Sequence, residues 1–558
     1  MGTRGLFDLE LLDLPDTLSD AVEHGEVFTR RWVVELLLDL VGYTPDKDLA
    51  ASVIVEPACG GGAFLGPIVE RLVRSCRMYD RPLLDAVGAV EAFDLLDRNV
   101  KLSREIVAAQ LTSDGWEAEH VEAVVGAWVN QGDYLLRRGV AENVDFVVGN
   151  PPYIRLEDVP DSRMGAYRQA CPTMGGRADI YVGFYERALR SLNPGGRLGF
   201  ICADRWMRNQ YGRLLRELVT SRFSMDLVLT MHDVDAFGEQ VAAYPAITVI
   251  SNRKQGVAVA ADTTKSFGAG SAEEFRSWML DETEQLVATS SYHAARLPHW
   301  FPGDDSWPAA SPARLAMLED LADRFGLLED KTTGTKVGIG IATGADKVFL
   351  TSDPQLVEPD RLLPMAMVRD TKTGEFTWGG TYLVNPWTPE GQLVDLSTHP
   401  RLAAYFKKHD LSLRGRYVAV KQPSRWYKTI DKVDHTLTSR PKLLFPDMKV
   451  NIHPVLDDGT AYPHHNLYFI VSDTWDLRVL GGLLLSRVAE AFVSAHAVKM
   501  RGGTLRFQAQ YLRKIRVPDP ALITVDDRAA LADAFERRDA EAATVAALRA
   551  YGLSELPD

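Results

Sequence analysis

Cysteine is scarce in this chain, with four residues among 558. Cys59, Cys76, Cys171 and Cys202 do not stand at the paired spacing of a zinc site, so the sequence predicts no metal centre and no disulfide framework. Apolar runs long enough to cross a bilayer are missing as well, and acidic residues follow soon after Arg4. We therefore expect no membrane span, no secretory signal and a cytoplasmic location.

Positive charge is also in deficit. The net charge is −14, which argues against a protein that coats nucleic acid without selectivity. The apolar fraction of 46% and the charged fraction of 25% are those of an ordinary globular protein. A chain of 558 residues exceeds the usual size of one hydrophobic core, so we expect two or more domains.

The most informative motif is Asn150-Pro151-Pro152-Tyr153. It follows the apolar run 144–149, which the pattern predicts to be a buried strand broken by a glycine and two prolines. Two prolines remove two backbone donors and hold the chain extended, so Asn150 is fixed at the carboxyl end of the strand. That end is where open α/β sheets bind their ligands.

The motif suggests methylation of an exocyclic amine. The lone pair of an adenine amino group is delocalised into the ring, so this group is a poor nucleophile. The side-chain oxygen of Asn150 and the backbone carbonyl beside Pro151 can each accept one of its N–H groups, which favours a pyramidal nitrogen. Tyr153 can stack on a base turned out of the duplex. The alternative is a strand followed by a Pro-Pro turn of no catalytic importance.

A glycine turn precedes this motif in the chain. The run 53–65 has the pattern of a strand, an acid, a glycine turn and a helix, with Glu56, Ala58 and Gly60 at its centre. Glycines at such a turn allow a ligand to approach the backbone closely. Asp94 ends the next apolar stretch, where its carboxylate can accept hydrogen bonds from both hydroxyls of a ribose.

A third element lies between Asp94 and the motif. In the run 131–135, Asp133 can accept a hydrogen bond from a cofactor adenine amine, with Tyr134 beside the ring. Each acid taken alone is explained as well by a helix N-cap. Four such sites in this order, at successive strand ends, favour a ligand-binding edge.

Residues 20–255 resemble the gamma group of DNA adenine-N6 methyltransferases, which occur in restriction-modification systems. The resemblance implies an α/β, Rossmann-like domain that binds S-adenosyl-L-methionine (AdoMet). It assigns Glu56 to Gly62 to the AdoMet loop, Asp94 to the ribose and Asp133 to the cofactor adenine. It also makes Asn150, Pro151 and Tyr153 the catalytic motif, and it implies base flipping.

Two further segments carry the resemblance. The run 25–29 is similar to the segment that closes over the methionine end of the cofactor, which places Thr29 at that site, although Arg30 stands where the family commonly has proline. The run 237–250 resembles the element that supplies an aromatic to the base pocket. Tyr244 is our first candidate for that aromatic and Phe237 the second, and a packed core aromatic is an equally good interpretation of either.

A basic stretch lies in the second half of the chain. Between Arg401 and Lys449 there are twelve Lys or Arg residues against four acids, interleaved with aromatics. Such a stretch in an acidic chain predicts a phosphate-contact surface. A solvated helix face is the alternative. The residues we predict to bind DNA are Lys407, Lys408, Arg414 and Arg416.

Composition shifts predict five segments. They are an N-terminal arm (1–20), a methyltransferase catalytic domain (21–255), a connector (256–330), an α+β DNA target-recognition domain (331–518) and a C-terminal helical segment (519–558). Residues 330–518 resemble the family's target-recognition domain. This resemblance is looser than the one between residues 20–255 and the family's catalytic domain.

The sequence therefore predicts a site-specific DNA adenine methyltransferase that uses AdoMet and acts on double-stranded DNA. A cognate restriction endonuclease or another defence-system subunit is an expected partner. Alternatives are an N-methyltransferase that acts on RNA or on a protein glutamine, and a DNA-specificity subunit of a larger defence complex. Fusion nucleases of this family carry an extra N-terminal domain, and we expect none in the short stretch before Gly25.

Overall fold

The computed structural model describes residues 28–137, 143–237, 244–449, 451–497 and 505–557. The chain divides into two compact units, Met1–Ala316 and Met317–Asp558. The arm predicted at residues 1–20 lies outside the described residues, and the five predicted segment boundaries stay predictions.

The first unit is built on one ten-stranded sheet with the order β3-β2-β1-β4-β5-β7-β6-β8-β10-β9. Its strands are β1 (Ile54–Glu56), β2 (Val90–Asp94), β3 (Val129–Gln131), β4 (Val144–Gly149), β5 (Leu192–Ala203), β6 (Ser224–Thr230), β7 (Pro245–Ser251), β8 (Ala258–Thr263), β9 (Leu286–Ala288) and β10 (Tyr292–Leu297). Its helices are α1 (Arg31–Val41), α2 (Leu65–Met78), α3 (Asp97–Ser113), α4 (Ala118–Trp128), α5 (Asp161–Ala170), α6 (Tyr181–Ser191), α7 (Arg213–Arg222) and α8 (Ala269–Leu280). The following helix, α9 (Pro312–Arg324), contains the boundary between the units.

Strands β3, β2, β1, β4 and β5 are parallel, whereas β7 runs antiparallel between β5 and β6. The chain moves from β1 outward to β2 and β3 and then returns to β4 on the other side of β1. A crevice forms at such a reversal of strand order, outside the carboxyl ends of the strands. The fold therefore places the ends of β1, β2 and β4 around one crevice.

Apolar side chains that alternate along the strands cover both faces of this sheet. In β1, Ile54 joins one hydrophobic cluster and Val55 joins the other. Phe146 and Val147 of β4 divide in the same way. Since successive side chains of a strand point to opposite faces, the two clusters lie on opposite sides of the sheet. The α/β class predicted from the sequence is confirmed.

The second unit combines small sheets with helices. Its strands are β11 (Gly326–Leu327), β12 (Lys336–Ile339), β13 (Leu350–Thr351), β14 (Leu362–Ala366), β15 (Tyr382–Val384), β16 (Lys442–Pro446), β17 (Met448–Lys449), β18 (Val455–Asp457), β19 (Tyr462–Pro463), β20 (Leu467–Val471), β21 (Leu505–Arg506) and β22 (Arg516–Val517). Its helices are α10 (Asp346–Phe349), α11 (Pro400–Lys408), α12 (Asp410–Arg414), α13 (Tyr417–Lys421), α14 (Leu477–Leu485), α15 (Arg487–His496), α16 (Ala509–Leu512), α17 (Val525–Glu536) and α18 (Ala540–Tyr551). Two four-stranded sheets have the orders β12-β20-β16-β18 and β13-β15-β14-β19. Within the described part of the chain, no helix is both long enough and apolar enough to cross a bilayer.

Candidate active site

The turn after β1 is shaped by glycines. Gly60 and Gly62 have φ angles of +49° and +82°, in the left-handed region that favours glycine. A Cβ atom at Gly61 would lie 2.8 Å from Cε1 of Phe28, so a side chain at this position would have to displace the Phe28 ring. The turn therefore brings bare backbone to the crevice, and Phe28 lies against it.

Asp94, at the end of β2, fixes this glycine turn. Its Oδ2 accepts a hydrogen bond from the backbone N–H of Gly60 at 2.9 Å. Its Oδ1 accepts from the N–H of Leu96 at 2.9 Å and from Nδ2 of Asn99 at 3.1 Å. Asp94, which the sequence predicts to bind the ribose, thus also holds the glycine turn in place. The sequence did not reveal this contact.

Asp133, which follows β3, is held by helix α5. Its Oδ2 accepts from the hydroxyl of Tyr167 at 2.6 Å and from Nη1 of Arg163 at 3.3 Å, while Oδ1 accepts from the N–H of Leu135 at 3.1 Å. Burial raises the pKa of this carboxyl, and the contacts with Tyr167 and Arg163 oppose that shift. A carboxylate offers about four lone-pair sites, so these contacts leave room for one further donor.

Tyr134 lies in an aromatic cluster beside Asp133. Its ring centroid is 5.8 Å from that of Phe93 and 5.5 Å from that of Phe184, and the second pair is stacked. The guanidinium of Arg187 lies 5.3 Å from the ring centroid of Tyr134. The side chain of Tyr134 is therefore held in place by its neighbours and is not a mobile surface side chain.

Glu56, the last residue of β1, is buried, with 1% of its surface exposed. Burial, and then the nearby charge of Asp94, hold the pKa of its carboxyl well above the usual range. Among the residues that the structure describes, none makes a hydrogen bond to Oε2 of Glu56. A buried carboxyl oxygen without a partner, at the edge of a cavity, points to a ligand that donates a hydrogen bond to it.

These strand ends surround one cavity of about 1030 Å³, including space open to solvent. All eight residues predicted to bind the cofactor line it: Thr29, Glu56, Ala58, Gly60, Asp94, Asp133, Tyr134 and Asn150. Three acids, bare backbone and an aromatic wall fit AdoMet, whose sulfonium and ammonium groups are cationic and whose adenosine offers hydroxyl and amine donors.

The motif Asn150-Pro151-Pro152-Tyr153 begins directly after β4 and borders the same cavity through Asn150 and Pro152. Nδ2 of Asn150 donates to Oγ1 of Thr29 at 3.3 Å. Tyr153 is half-buried, with its ring centroid 6.4 Å from that of Tyr181, and burial raises the pKa of its hydroxyl well above the usual range. Pro151 is buried and, like Tyr153, does not line the cavity.

The two candidate base-pocket aromatics lie in different environments. Tyr244 is 57% exposed, and its ring centroid is 4.9 Å from that of His232. Nε2 of His232 lies 2.9 Å from Oδ2 of the buried Asp204, which anchors this pair. Phe237 is 5% exposed and belongs to a hydrophobic core cluster. Tyr244 is therefore available to a ligand in this structure, whereas Phe237 packs as a core aromatic.

Several cavity residues were not anticipated from the sequence. They are Phe28, Leu95, Leu96, Ile154, Tyr167, Ile180 and Phe184 among others. Tyr167 lies on α5, which follows the motif and has no distinctive local pattern. Phe28 stands within the run 25–29, so its neighbourhood, although not its role, was predicted.

The four predicted DNA-binding cations, all in the second unit, lie in two kinds of environment. Lys407, Lys408 and Arg414 are exposed. Arg416 instead donates to four backbone carbonyls, those of Leu413, Thr343, Trp426 and Lys428, at 2.8–3.1 Å. Arg416 therefore holds the local fold together, and its DNA contact stays a prediction.

Comparison with known proteins agrees with this geometry. The family model described as Eco57I restriction-modification methylase matches residues 93–237. The chain is 43% identical to the Type II methyltransferase M.PaeR7I of Pseudomonas aeruginosa, over 95% of this chain and 92% of that protein. It is 41% identical to M.XhoI of Xanthomonas vasicola, over 96% of this chain and 98% of that protein.

A third relative, the Type II methyltransferase M.BstVI of Geobacillus stearothermophilus, is 38% identical over 91% of this chain and 92% of its own length. In these three comparisons the aligned region covers at least 91% of this chain and at least 92% of each relative. The chain belongs to the AdoMet-dependent Type II DNA methyltransferases of restriction-modification systems.

Proposed function

We propose that the protein transfers a methyl group to N6 of adenine in a specific sequence of double-stranded DNA. The observation that carries the proposal is the position of Asn150. It ends β4, it is followed by Pro151-Pro152-Tyr153, and it borders the cavity that the cofactor-binding acids line. AdoMet, when bound, supplies a methyl group activated by a sulfonium.

Asn150 and the backbone carbonyl of Pro151 act on the amine of the target base. Each accepts one N–H, and together they favour a pyramidal nitrogen whose lone pair is directed at the cavity. Direct displacement needs alignment more than charge stabilisation, because positive charge moves from the cofactor to the amine and is then lost with a proton. Neither a covalent enzyme intermediate nor a metal takes part in this proposal.

The target base must leave the duplex to reach this edge of the sheet. Flipping costs a few kcal/mol, which stacking on aromatic side chains and hydrogen bonding offset. Tyr153 and the exposed Tyr244 are the proposed stacking residues, with Phe237 a weaker candidate because it is buried.

Sequencing that detects methylated bases in DNA from cells expressing the protein tests the proposal. We expect N6-methyladenine at one recurrent sequence and at no other. The same cells carrying an empty vector are the control. A recurrent N4-methylcytosine instead would show that the site acts on a different exocyclic amine.

Glu56 provides a prediction about pH. In the cofactor-free protein, burial keeps its carboxyl protonated to a higher pH than usual. A cationic ligand favours the carboxylate and lowers this pKa. Binding therefore releases a proton at pH values between the ordinary pKa of a glutamate and the raised pKa of Glu56. We therefore expect AdoMet affinity to rise with pH across that window.

Calorimetry of AdoMet binding in two buffers with different ionisation enthalpies measures this proton release. Glu56→Gln is the matched control, since it keeps the shape and cannot titrate. The released protons should fall in the variant. Equal release by both proteins would remove Glu56 from the account and leave the cofactor itself or Asp133 as the source.

We also propose that Lys407, Lys408 and Arg414 contact the phosphates of the duplex. They stand on α11 and α12, are exposed, and belong to a locally basic stretch in a chain of net charge −14. The guanidinium carbon of Arg414 lies 4.3 Å from the ring centroid of Trp426, and its Nε donates to Oδ1 of Asp410 at 2.7 Å. These two contacts fix the direction of the Arg414 side chain. Exposed cations attract a polyanion without specifying its sequence.

Replacing all three cations with glutamine should weaken duplex binding for every sequence. Each lost phosphate contact lowers the slope of log affinity against log salt by about 0.9, so we expect a change of about 2–3. The matched control replaces three exposed lysines of the same unit, Lys331, Lys336 and Lys372, with glutamine. Fluorescence anisotropy at several salt concentrations measures both slopes, and equal slopes would make the stretch a solvated surface only.

A cognate restriction endonuclease that recognises the same sequence is the proposed partner of the protein. Membership of a restriction-modification family supports this, because an endonuclease of this kind would cut any site that the methyltransferase failed to protect.

A further inference from the structure

The side chain of Asn150 can act only in one of its two orientations. Its amide carries an acceptor oxygen and a donor nitrogen, and a half-turn about the last side-chain bond exchanges them. The target amine is a donor, so it must meet the oxygen. With the nitrogen turned toward the amine, two donors would face each other and the hydrogen bond would be lost.

The described contacts of Asn150 include one that is made in the orientation that catalysis needs. Nδ2 donates to Oγ1 of Thr29 at 3.3 Å, between residues 121 positions apart in the chain. A hydroxyl oxygen accepts this N–H, which turns the amide nitrogen toward Thr29 and so directs the oxygen away from it. We propose that Thr29 is a positioning residue, which sets the orientation of the Asn150 amide for catalysis.

Thr29 is itself held on both sides. It forms an antiparallel bridge with Phe237, and the N–H of Arg30 donates to the carbonyl of Ala236 at 3.0 Å. The guanidinium of Arg30 pairs with Asp235 at 2.5 Å. The next residues begin helix α1, where the N–H of Val33 donates to the carbonyl of Arg30 at 3.0 Å. With 7% of its surface exposed, Thr29 has little freedom to move away from Asn150.

The surroundings of Thr29 fit both this role and the one predicted from the sequence. Phe28, the preceding residue, lies against the glycine turn of the cofactor cavity. Thr29 also lines the cavity, so a hydroxyl contact to the cofactor is the competing role. The two roles differ in what they change: a cofactor ligand changes AdoMet affinity, whereas a positioning residue changes the rate once both substrates are bound.

The inference rests on the proposed role of Asn150, and Thr29→Val tests it. Valine keeps the branched shape but cannot accept the amide N–H. A misdirected catalytic group costs about 10- to 100-fold, and we expect a loss of this size in kcat with both substrates saturating. The AdoMet Kd should change by less than about 3-fold, since no cofactor contact is lost. Thr29→Ser, which restores the acceptor, should recover most of the rate.

Thr248→Val is the matched control for the loss of a buried hydroxyl in the same unit. Thr248 is buried on β7 and its hydroxyl lies 2.8 Å from that of Tyr185. This variant should lose stability without a comparable loss of kcat. An unchanged kcat for Thr29→Val, with or without a weaker AdoMet Kd, overturns the inference, and so does a serine variant as slow as the valine one.

Asn150→Ala is measured in parallel, so that the two failures can be told apart. If Asn150→Ala keeps its transfer rate, the proposed role of Asn150 is wrong and the inference falls with it. If Asn150→Ala loses transfer while Thr29→Val keeps it, only the positioning role is wrong.

Discussion

Replacing Asn150 with alanine should abolish methyl transfer while leaving AdoMet affinity within a few-fold. The side chain ends β4 and meets the target amine, and the variant has no acceptor at that position. Removing one preorganised hydrogen-bonding group from a reacting centre typically costs about 100- to 1000-fold in kcat. Single-turnover transfer with saturating DNA measures the loss, and calorimetry measures the cofactor affinity.

Asn193→Ala is the matched control for Asn150→Ala. Asn193 stands at the start of β5, at the opposite edge of the same sheet, and its Nδ2 donates to Oδ1 of Asp145 at 3.1 Å. Losing that amide should cost stability but little activity. Transfer by Asn150→Ala at more than a few per cent of the normal rate would contradict the role assigned to Asn150.

Replacing Asp94 with alanine should weaken AdoMet binding more than any other single change in the cavity. The carboxylate holds the N–H of Gly60 at 2.9 Å and is also the predicted acceptor for the ribose hydroxyls. The variant leaves these donors unpaired in a partly buried crevice, at a cost of about 1–3 kcal/mol. That cost corresponds to a Kd about 5- to 150-fold higher, which calorimetry can measure.

Asp97→Ala controls for the loss of a carboxylate near the same site. Asp97 begins α3, is 56% exposed and pairs with Lys101 at 2.6 Å, so its removal should leave the AdoMet Kd unchanged. If Asp94→Ala and Asp97→Ala bound the cofactor equally well, the cofactor would not lie over the end of β2.

The cofactor cavity was predictable because its main polar residues lie at the ends of strands. Glu56, Asp94 and Asn150 each stand at or after the end of an apolar run and Asp133 follows β3, and parallel strands deliver their carboxyl ends to one edge. Knowing the order of the strands was not necessary for this. The structure brings the four together around one cavity, and their individual roles stay predictions.

Contacts between segments distant in the chain could not be predicted in this way. Tyr167 and Arg163 reach Asp133 from a helix whose sequence pattern is weak, and Thr29 reaches Asn150 across 121 positions. No local periodicity encodes such a pair. Each contact depends on how loops pack once the sheet has formed.

Charge counting also fails to show where a side chain points. Lys442 belongs to the basic stretch, yet it is fully buried on β16, where its Nζ lies 2.8 Å from Oδ2 of Asp457. Arg416 likewise turns toward backbone carbonyls. Three of the four predicted DNA-binding cations remain at the surface, because only packing decides which members of a basic run reach solvent.

The segment predicted as a connector, 256–330, illustrates a further limit. Strands β8, β9 and β10 within it extend the sheet of the first unit beyond β6. Its Ala- and Thr-rich composition lacked the clear apolar runs of the earlier strands. Such strands have weak sequence patterns, since the preference for a strand depends on packing against neighbouring strands as much as on the residues themselves.

Mass spectrometry of nucleosides tests the central claim most directly. The purified protein is incubated with AdoMet and double-stranded DNA, and the DNA is then digested to nucleosides. We predict N6-methyl-2′-deoxyadenosine as the single new nucleoside, absent when Asn150→Ala replaces the normal protein. N4-methyl-2′-deoxycytidine in its place, or an equal yield of the adenine product from Asn150→Ala, would contradict the account.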